Sequence, residues 1–255
     1  MQTFINAARS IDLAAYRRGQ TPAELTIGDH GALSITYAPF DFINRSAELV
    51  LVGLTPGRTQ AANAIEALQQ ALAAGKTQYE ALKIAKSTAS FSGSMRSSLV
   101  AMLDAVGVPA QFGHRTAQDF FAPGGGLVHF TSALRYPVYL SNGDNYSGAP
   151  DPLGHPALRS MIESHLAEEA AALPRAVWVP LGKGAAASLQ HLVNRGALDG
   201  RRVLSGLPHP SGANAERIAY FLGRKSRDQL SVKTNADRID DARERLRSQV
   251  EALAA

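Results

Sequence analysis

The chain has 255 residues, 45% hydrophobic and 19% charged, with 22 glycines, 13 prolines and a net charge of +4. This composition excludes a chain disordered throughout, and the absence of cysteine excludes disulfides, thiolate-held zinc and iron–sulfur clusters. No apolar run reaches the ~20 residues that span a bilayer, and the first twenty residues lack the apolar core of a signal peptide, so the expected setting is the cytoplasm, without membrane association.

In chain order, Leu49–Val52 is the first continuous aliphatic run and ends at Gly53. A helix is expected over Ala61–Ala74, with Ile65, Leu68 and Leu72 on one face, and another over Met95–Val106, with Leu99, Met102, Leu103 and Val106 forming a stripe. The second strand is Leu127–Thr131, after the glycines of 124–126. The segment Tyr136–Pro156, rich in Pro, Gly and Asn, reads as a long loop, and Leu158–Leu173 reads as a helix. Ala176–Leu181 is the third strand and turns at Gly182 into a helix over Lys183–Val193. Arg202–Ser205 is the shortest strand, and an amphipathic helix is expected over about 236–254.

Apolar runs without polar alternation suit strands covered on both faces. Their alternation with helices predicts one α/β domain over 1–255, a three-layer α/β/α sandwich around a central, mostly parallel four-stranded sheet. Functional groups are then expected at the carboxyl ends of the strands.

Three segments there can carry chemistry. In Gly53-Leu54-Thr55-Pro56-Gly57, glycines allow main-chain N–H groups to approach an anion or a water, and Pro56 stiffens the turn; the plainer reading is a strand-ending turn. Phe91 stands before a helix, as a hydrophobic staple or as a stacking platform for a flat ligand. His209 lies between Pro208 and Pro210, held with little freedom where it could meet a developing charge. Ser211 and the amides after it could cap the helix beginning near Asn214 and bind a phosphate. The Gly182-Lys183-Gly184 turn lacks the remainder of a phosphate-binding P-loop, and no histidine pair has zinc-ligand spacing.

Taken in register, these blocks resemble the uracil-DNA glycosylase superfamily over about residues 45–222: VLVGLTPGR at 50–58, FSGSMRSSLVAMLDAVGV at 91–108, LVHFTSALRYP at 127–137, AEEAAALPRAVWVPLGKGAAASL at 167–189 and HPSGAN at 209–214. The first and last are most similar to the mismatch-specific and single-strand-selective branches. The resemblance implies an enzyme that flips a damaged base out of DNA and hydrolyses its N-glycosidic bond without metal or cofactor. Gly53, Leu54, Thr55, Pro56 and Gly57 would form the water-activating loop. Phe91 would stack on the base and Ser132 would face its edge. His209 would hydrogen-bond the departing base, while Pro210, Ser211, Gly212 and Asn214 would wedge into the DNA and grip phosphates.

Two positions depart from the family pattern. Thr55 stands where related loops carry Asp or Asn, and a hydroxyl positions water without acting as a base near neutral pH. Ser132 stands where several branches read uracil with an asparagine. Asp144 and Asp151 are candidates for the missing carboxylate. Arg58, Arg96, Arg135, Arg217 and Arg224 are candidates for a DNA face, although for each singly a solvated surface position is the plainer reading. Three functions remain open: a glycosylase acting on damaged or single-stranded DNA, a non-catalytic nucleic-acid- or nucleotide-binding member of the fold, and a small-molecule enzyme. The first requires Thr55, Phe91, Ser132 and His209 to line one pocket.

Overall fold

Short strands are interspersed with helices in the computed structural model, which describes residues 2–91, 93–122 and 126–253, with the side chain of Ser94 excepted. Ser92 of the Phe91 block, Gly124 and Gly125 of the glycine run, and Ala254 at the expected end of the terminal helix lie outside the described residues. The chain forms α1 (Gln2–Ser10), α2 (Leu13–Arg17), β1 (Thr26–His30), β2 (Leu33–Thr36), β3 (Leu49–Gly53), α3 (Arg58–Ala73), α4 (Gln78–Ala89) and α5 (Ser94–Ala105). It continues through β4 (Val128–Ser132), β5 (Val138–Leu140), α6 (Pro156–Met161), a π turn (Ile162–Leu166), α7 (Ala167–Ala172), β6 (Val177–Pro180), α8 (Lys183–Asn194), α9 (Ala215–Phe221) and α10 (Ala236–Ala252).

The fold is α/β, with two separate sheets rather than the single four-stranded sheet expected. One runs in the order β4–β3–β6. β3 and β6 pair in parallel from Leu49↔Val177 to Val52↔Pro180. All five residues of β3 are buried, as the unbroken aliphatic run requires. The expected fourth strand is reduced to two parallel bridges, Trp178↔Val203 and Leu181↔Leu207. Between them Gly206 sits at φ +147°, a conformation outside the extended range of other residues, so no continuous ladder forms. A β-carbon there would lie 2.8 Å from the Ala242 carbonyl, so glycine is also what admits the close approach of α10.

The second sheet, β1–β2–β5, is antiparallel and was not expected. β5 lies inside Tyr136–Pro156, where a loop was predicted. Three residues are too few to show a period, and β5 is a strand because it pairs with β2 from Leu33↔Leu140 to Ile35↔Val138.

The chain divides into two compact units, residues 1–45, 53–92 and 130–172, and residues 46–52, 93–129 and 173–255. In the first, α3 packs on α1, α2 and α4. Arg58, at the start of α3, lays its guanidinium 4.0 Å from the Tyr139 ring centroid and 5.4 Å from that of Tyr16. In the second, α8 packs on β6, and α9 packs on α5 and α10. The predicted stripe Leu99, Met102, Leu103 and Val106 is buried, as are Leu246 and Val250 of α10. Glu216 accepts from Lys225, Ser231 and Thr234 and so fastens the connection from α9 to α10; these donors, Lys225 first, hold its carboxyl well below the usual range.

A charged core lies in the first unit. Glu169 is fully buried, with Arg135 Nη2 at 2.9 Å and Lys86 Nζ at 3.6 Å. Arg135 also reaches Glu168 at 3.0 Å and donates to the His165 carbonyl, so it is no part of a solvated basic face. Lys86 donates to the Phe42 carbonyl at 2.8 Å. Burial, opposed by Glu169, brings the Lys86 ammonium down to about 8.

Glu169→Gln leaves the buried Lys86 without its carboxylate and Arg135 with Glu168 alone, and is expected to destabilise the protein by about 3–5 kcal/mol, measured by denaturant unfolding. Because Lys86 loses its proton more readily folded than unfolded, the unfolded chain binds more protons between about pH 8 and 10.5. Wild-type stability should therefore rise with pH through that window relative to Lys86→Met; identical pH slopes would contradict the assignment.

Candidate functional site

The residues singled out from the sequence fall into two groups, one in each unit. The first unit contains the Gly53–Gly57 turn, Phe91 and Ser132. β3 ends at Gly53, whose carbonyl accepts from Ala133 N–H at 2.8 Å, and the Leu54 carbonyl accepts from Leu134 N–H at 2.9 Å. These bonds hold the residues that follow β4 against the end of β3. A β-carbon at Gly53 would lie 3.3 Å from Ser132 Oγ and 3.4 Å from Phe91 Cε1. The bare main chain of Gly53 is thus flanked by an aromatic ring and a hydroxyl from segments far apart in sequence.

Phe91 holds this place in a left-handed backbone conformation, φ +48°, that non-glycine residues adopt at a cost of about 1–3 kcal/mol. Its ring is 5% exposed and meets Phe130 edge-on, with centroids 6.1 Å apart. It is therefore an edge wall rather than an open platform. Ser132 is half-buried, and its hydroxyl bonds no protein group among the described residues.

Thr55 is more committed than the sequence indicates. Its hydroxyl donates to the Tyr136 carbonyl at 3.2 Å and accepts from Val138 N–H at 3.3 Å. One lone pair remains, able to receive a hydrogen from water and unable to take a proton. The anion-binding reading of the turn is weakened further along: Gly57 N–H donates to Gln60 and Arg58 N–H to Asn145 Oδ1 at 2.8 Å. Pro56 is buried, and Leu54 is half-buried. Asp144 and Asp151 are both exposed, and Asp144 already accepts from Asn142 at 2.8 Å. A different carboxylate, Asp41, lies in this unit between the hydroxyls of Tyr37 and Tyr136. It precedes every block of the resemblance, and no spacing in the sequence marks it.

The second unit contains the His209 loop. Leu207 accepts from Gly182 N–H at 3.1 Å, which sets the loop against the turn from β6 into α8. Gly182 has φ +86°, and a β-carbon on it would lie 3.0 Å from His209 Cβ, so the imidazole is seated on a glycine. Ser211 N–H donates to His209 Nδ1 at 3.3 Å. With Nδ1 accepting, the neutral ring carries its proton on Nε2 and presents a donor there. Burial lowers the His209 pKa, favouring this neutral form.

The neighbours of His209 differ from the roles expected of them. Pro210 is buried rather than exposed at the loop surface. Ser211 stands at the N-cap of the turn Gly212–Asn214 but makes no side-chain capping bond: its hydroxyl accepts from Asn214 Nδ2 at 3.3 Å, and Asn214 Oδ1 accepts from Arg217 at 2.7 Å. Gly212 and Arg224 are exposed. Arg96 lies 4.7 Å from the Phe121 ring centroid, half-buried rather than on an open basic face.

Gly182→Ala should displace His209 and strain the turn, destabilising the protein by about 1–3 kcal/mol in denaturant unfolding. With its ring less buried, the His209 pKa followed by NMR should rise toward the ordinary histidine value; an unchanged titration would show that Gly182 does not seat the ring.

Among the described residues, no helix is long and apolar enough to cross a membrane, and no group of three or more His, Cys, Asp or Glu could hold a metal ion. No family model matches the chain, and no solved structure matches it. Over 216 residues, spanning 84% of this chain and 84% of the relative, it is 36% identical to the uncharacterized protein YoxB of Bacillus subtilis (strain 168). The chain belongs to the same family as YoxB.

Proposed function

We propose that this protein is a DNA-base glycosylase-like hydrolase, built on a uracil-DNA glycosylase-like α/β/α plan and acting on a damaged base in flipped-out or single-stranded DNA. The observation that carries this reading is the approach of the Phe91 ring and the Ser132 hydroxyl to the bare backbone of Gly53. A ring edge beside an uncommitted hydroxyl suits a flat heterocycle with polar edges. The fixed Nε2 donor of His209 adds support, since a departing base anion needs a hydrogen bond that strengthens as charge develops.

In the proposed reaction, the water oxygen bonds to C1′ of the sugar as the N-glycosidic bond breaks and its electron pair leaves with the base. For His209, the resemblance implies a donor to the base oxygen that gains charge. Thr55 holds one hydrogen of the water through its remaining lone pair, and the water's other proton passes to solvent. Ser132 offers one rotatable hydroxyl in place of an amide, which favours tolerance of more than one base over strict reading of uracil.

A second reading, a non-catalytic nucleic-acid-binding member of the same fold, draws support from Thr55, whose hydroxyl already serves Tyr136 and Val138. Oligonucleotides carrying uracil, hypoxanthine or mismatches, followed by alkaline cleavage of abasic products, separate the two. Base release by wild type, reduced on the order of 10²-fold or more in His209→Ala with DNA affinity retained, is the expected result. No release from any substrate, together with salt-sensitive DNA binding, favours the binding module. Absence of DNA affinity even at low salt points instead to a small-molecule substrate.

A further inference from the structure

Asp41 is a half-exposed carboxylate whose hydrogen-bond donors are both phenols. It accepts from Tyr37 Oη at 2.7 Å and from Tyr136 Oη at 2.6 Å. Both tyrosines are buried, and burial together with the Asp41 charge pushes each phenol well above its ordinary pKa, so both stay protonated as donors. Asp41 has no cation within ion-pair distance among the described residues, and the carbonyl of its neighbour Phe42 is held by Lys86. The carboxylate is thus fixed by neutral donors and by the chain beside it.

The two phenols differ in what lies behind them. The main-chain carbonyl of Tyr136 receives the only hydroxyl proton of Thr55, and Val138, two residues on, donates its N–H to the Thr55 hydroxyl oxygen. Tyr136 is therefore held at both ends, its phenol by Asp41 and its carbonyl by Thr55. The His165 ring, from the π turn, lies edge-to-face with the Tyr136 ring, with centroids 5.2 Å apart. Tyr37 packs against the Tyr136 ring, with centroids 5.6 Å apart, and donates its phenol to Asp41.

We infer that Asp41 is a positioning residue for the proposed site: through Tyr136 it fixes the hydroxyl rotor of Thr55, so that Thr55 can only accept a hydrogen from the attacking water. This inference rests on the glycosylase reading. It gives the site a carboxylate in a role the Gly53–Gly57 turn cannot fill. It also explains how a threonine orients water at a position where a freely rotating hydroxyl could present its own proton instead.

The test uses the full chain with Asp41→Asn, Tyr136→Phe, Tyr37→Phe, Thr55→Ala and the double variant Asp41→Asn/Thr55→Ala. Two readouts are taken: kcat and KM for base release from single-stranded uracil and hypoxanthine oligonucleotides, and NMR of the Thr55 methyl with hydrogen exchange of the Val138 amide. Asp41→Asn and Tyr136→Phe should lower kcat on the order of ten- to a hundredfold with little change in KM, and should speed Val138 exchange. Tyr37→Phe should do neither, and Asp41→Asn should add nothing in the Thr55→Ala background. Should Asp41→Asn fail to fold, Tyr136→Phe reads the same link without altering the charge. An unchanged Val138 amide and Thr55 methyl in both single variants, or full additivity with Thr55→Ala, overturns the inference. A wild type that releases no base overturns the glycosylase reading instead, and the NMR data still decide whether Asp41 governs Thr55.

Discussion

Glu169 is a carboxylate with no solvent exposure between two nearly buried cations, and the first unit is organised around keeping all three charges compensated. A lone buried ion costs several kcal/mol, so neither Lys86 nor Arg135 can move independently of it. Lys86 stands one turn before the end of α4, and Ser90 Oγ bonds back to its carbonyl at 2.6 Å. That fixes the exit of the helix and hence the left-handed residue that follows, Phe91. Arg135 immediately precedes Tyr136, whose carbonyl receives Thr55. One carboxylate therefore sets the approach of the two segments that bring an aromatic wall and a hydroxyl to the end of β3.

The second unit solves a similar problem without charge. His209 is fixed by proline on either side, by a glycine beneath it and by a main-chain N–H on its own ring. None of these devices uses a carboxylate to orient the imidazole, so nothing raises its basicity. The ring is thereby favoured in its neutral form, with its donor on Nε2.

Much of the fold was legible because it follows from period and punctuation. The aliphatic runs ending at Gly53 and Gly182 are strands, and the stripe Leu99–Val106 is a buried helix face. What was missed lacked such signals or had them overlooked. β5 is three residues whose extended form comes from pairing with β2. The fourth parallel strand failed on one glycine at φ +147°. α4 did carry a readable start, since Thr77 and Glu80 form a reciprocal capping box with Thr77 N–H donating to Glu80 at 2.8 Å. Of the site residues, Gly53, Phe91 and Ser132 lie together in the first unit, while His209 belongs to the second. Asp41 was not foreseen, because a single aspartate before a Phe-Ile-Asn stretch has no pattern, and its importance lies wholly in which two phenols fold over it.

The hook from the Ser211 amide to His209 has an implication for how this loop can change over evolutionary time. The proton that sets the ring's tautomer comes from the main chain, so the side chain at 211 is unconstrained as far as the imidazole is concerned. Nineteen amino acids would preserve the donor, and proline alone would abolish it. Sequence drift at that position can thus be wide while the electronic state of the histidine stays the same.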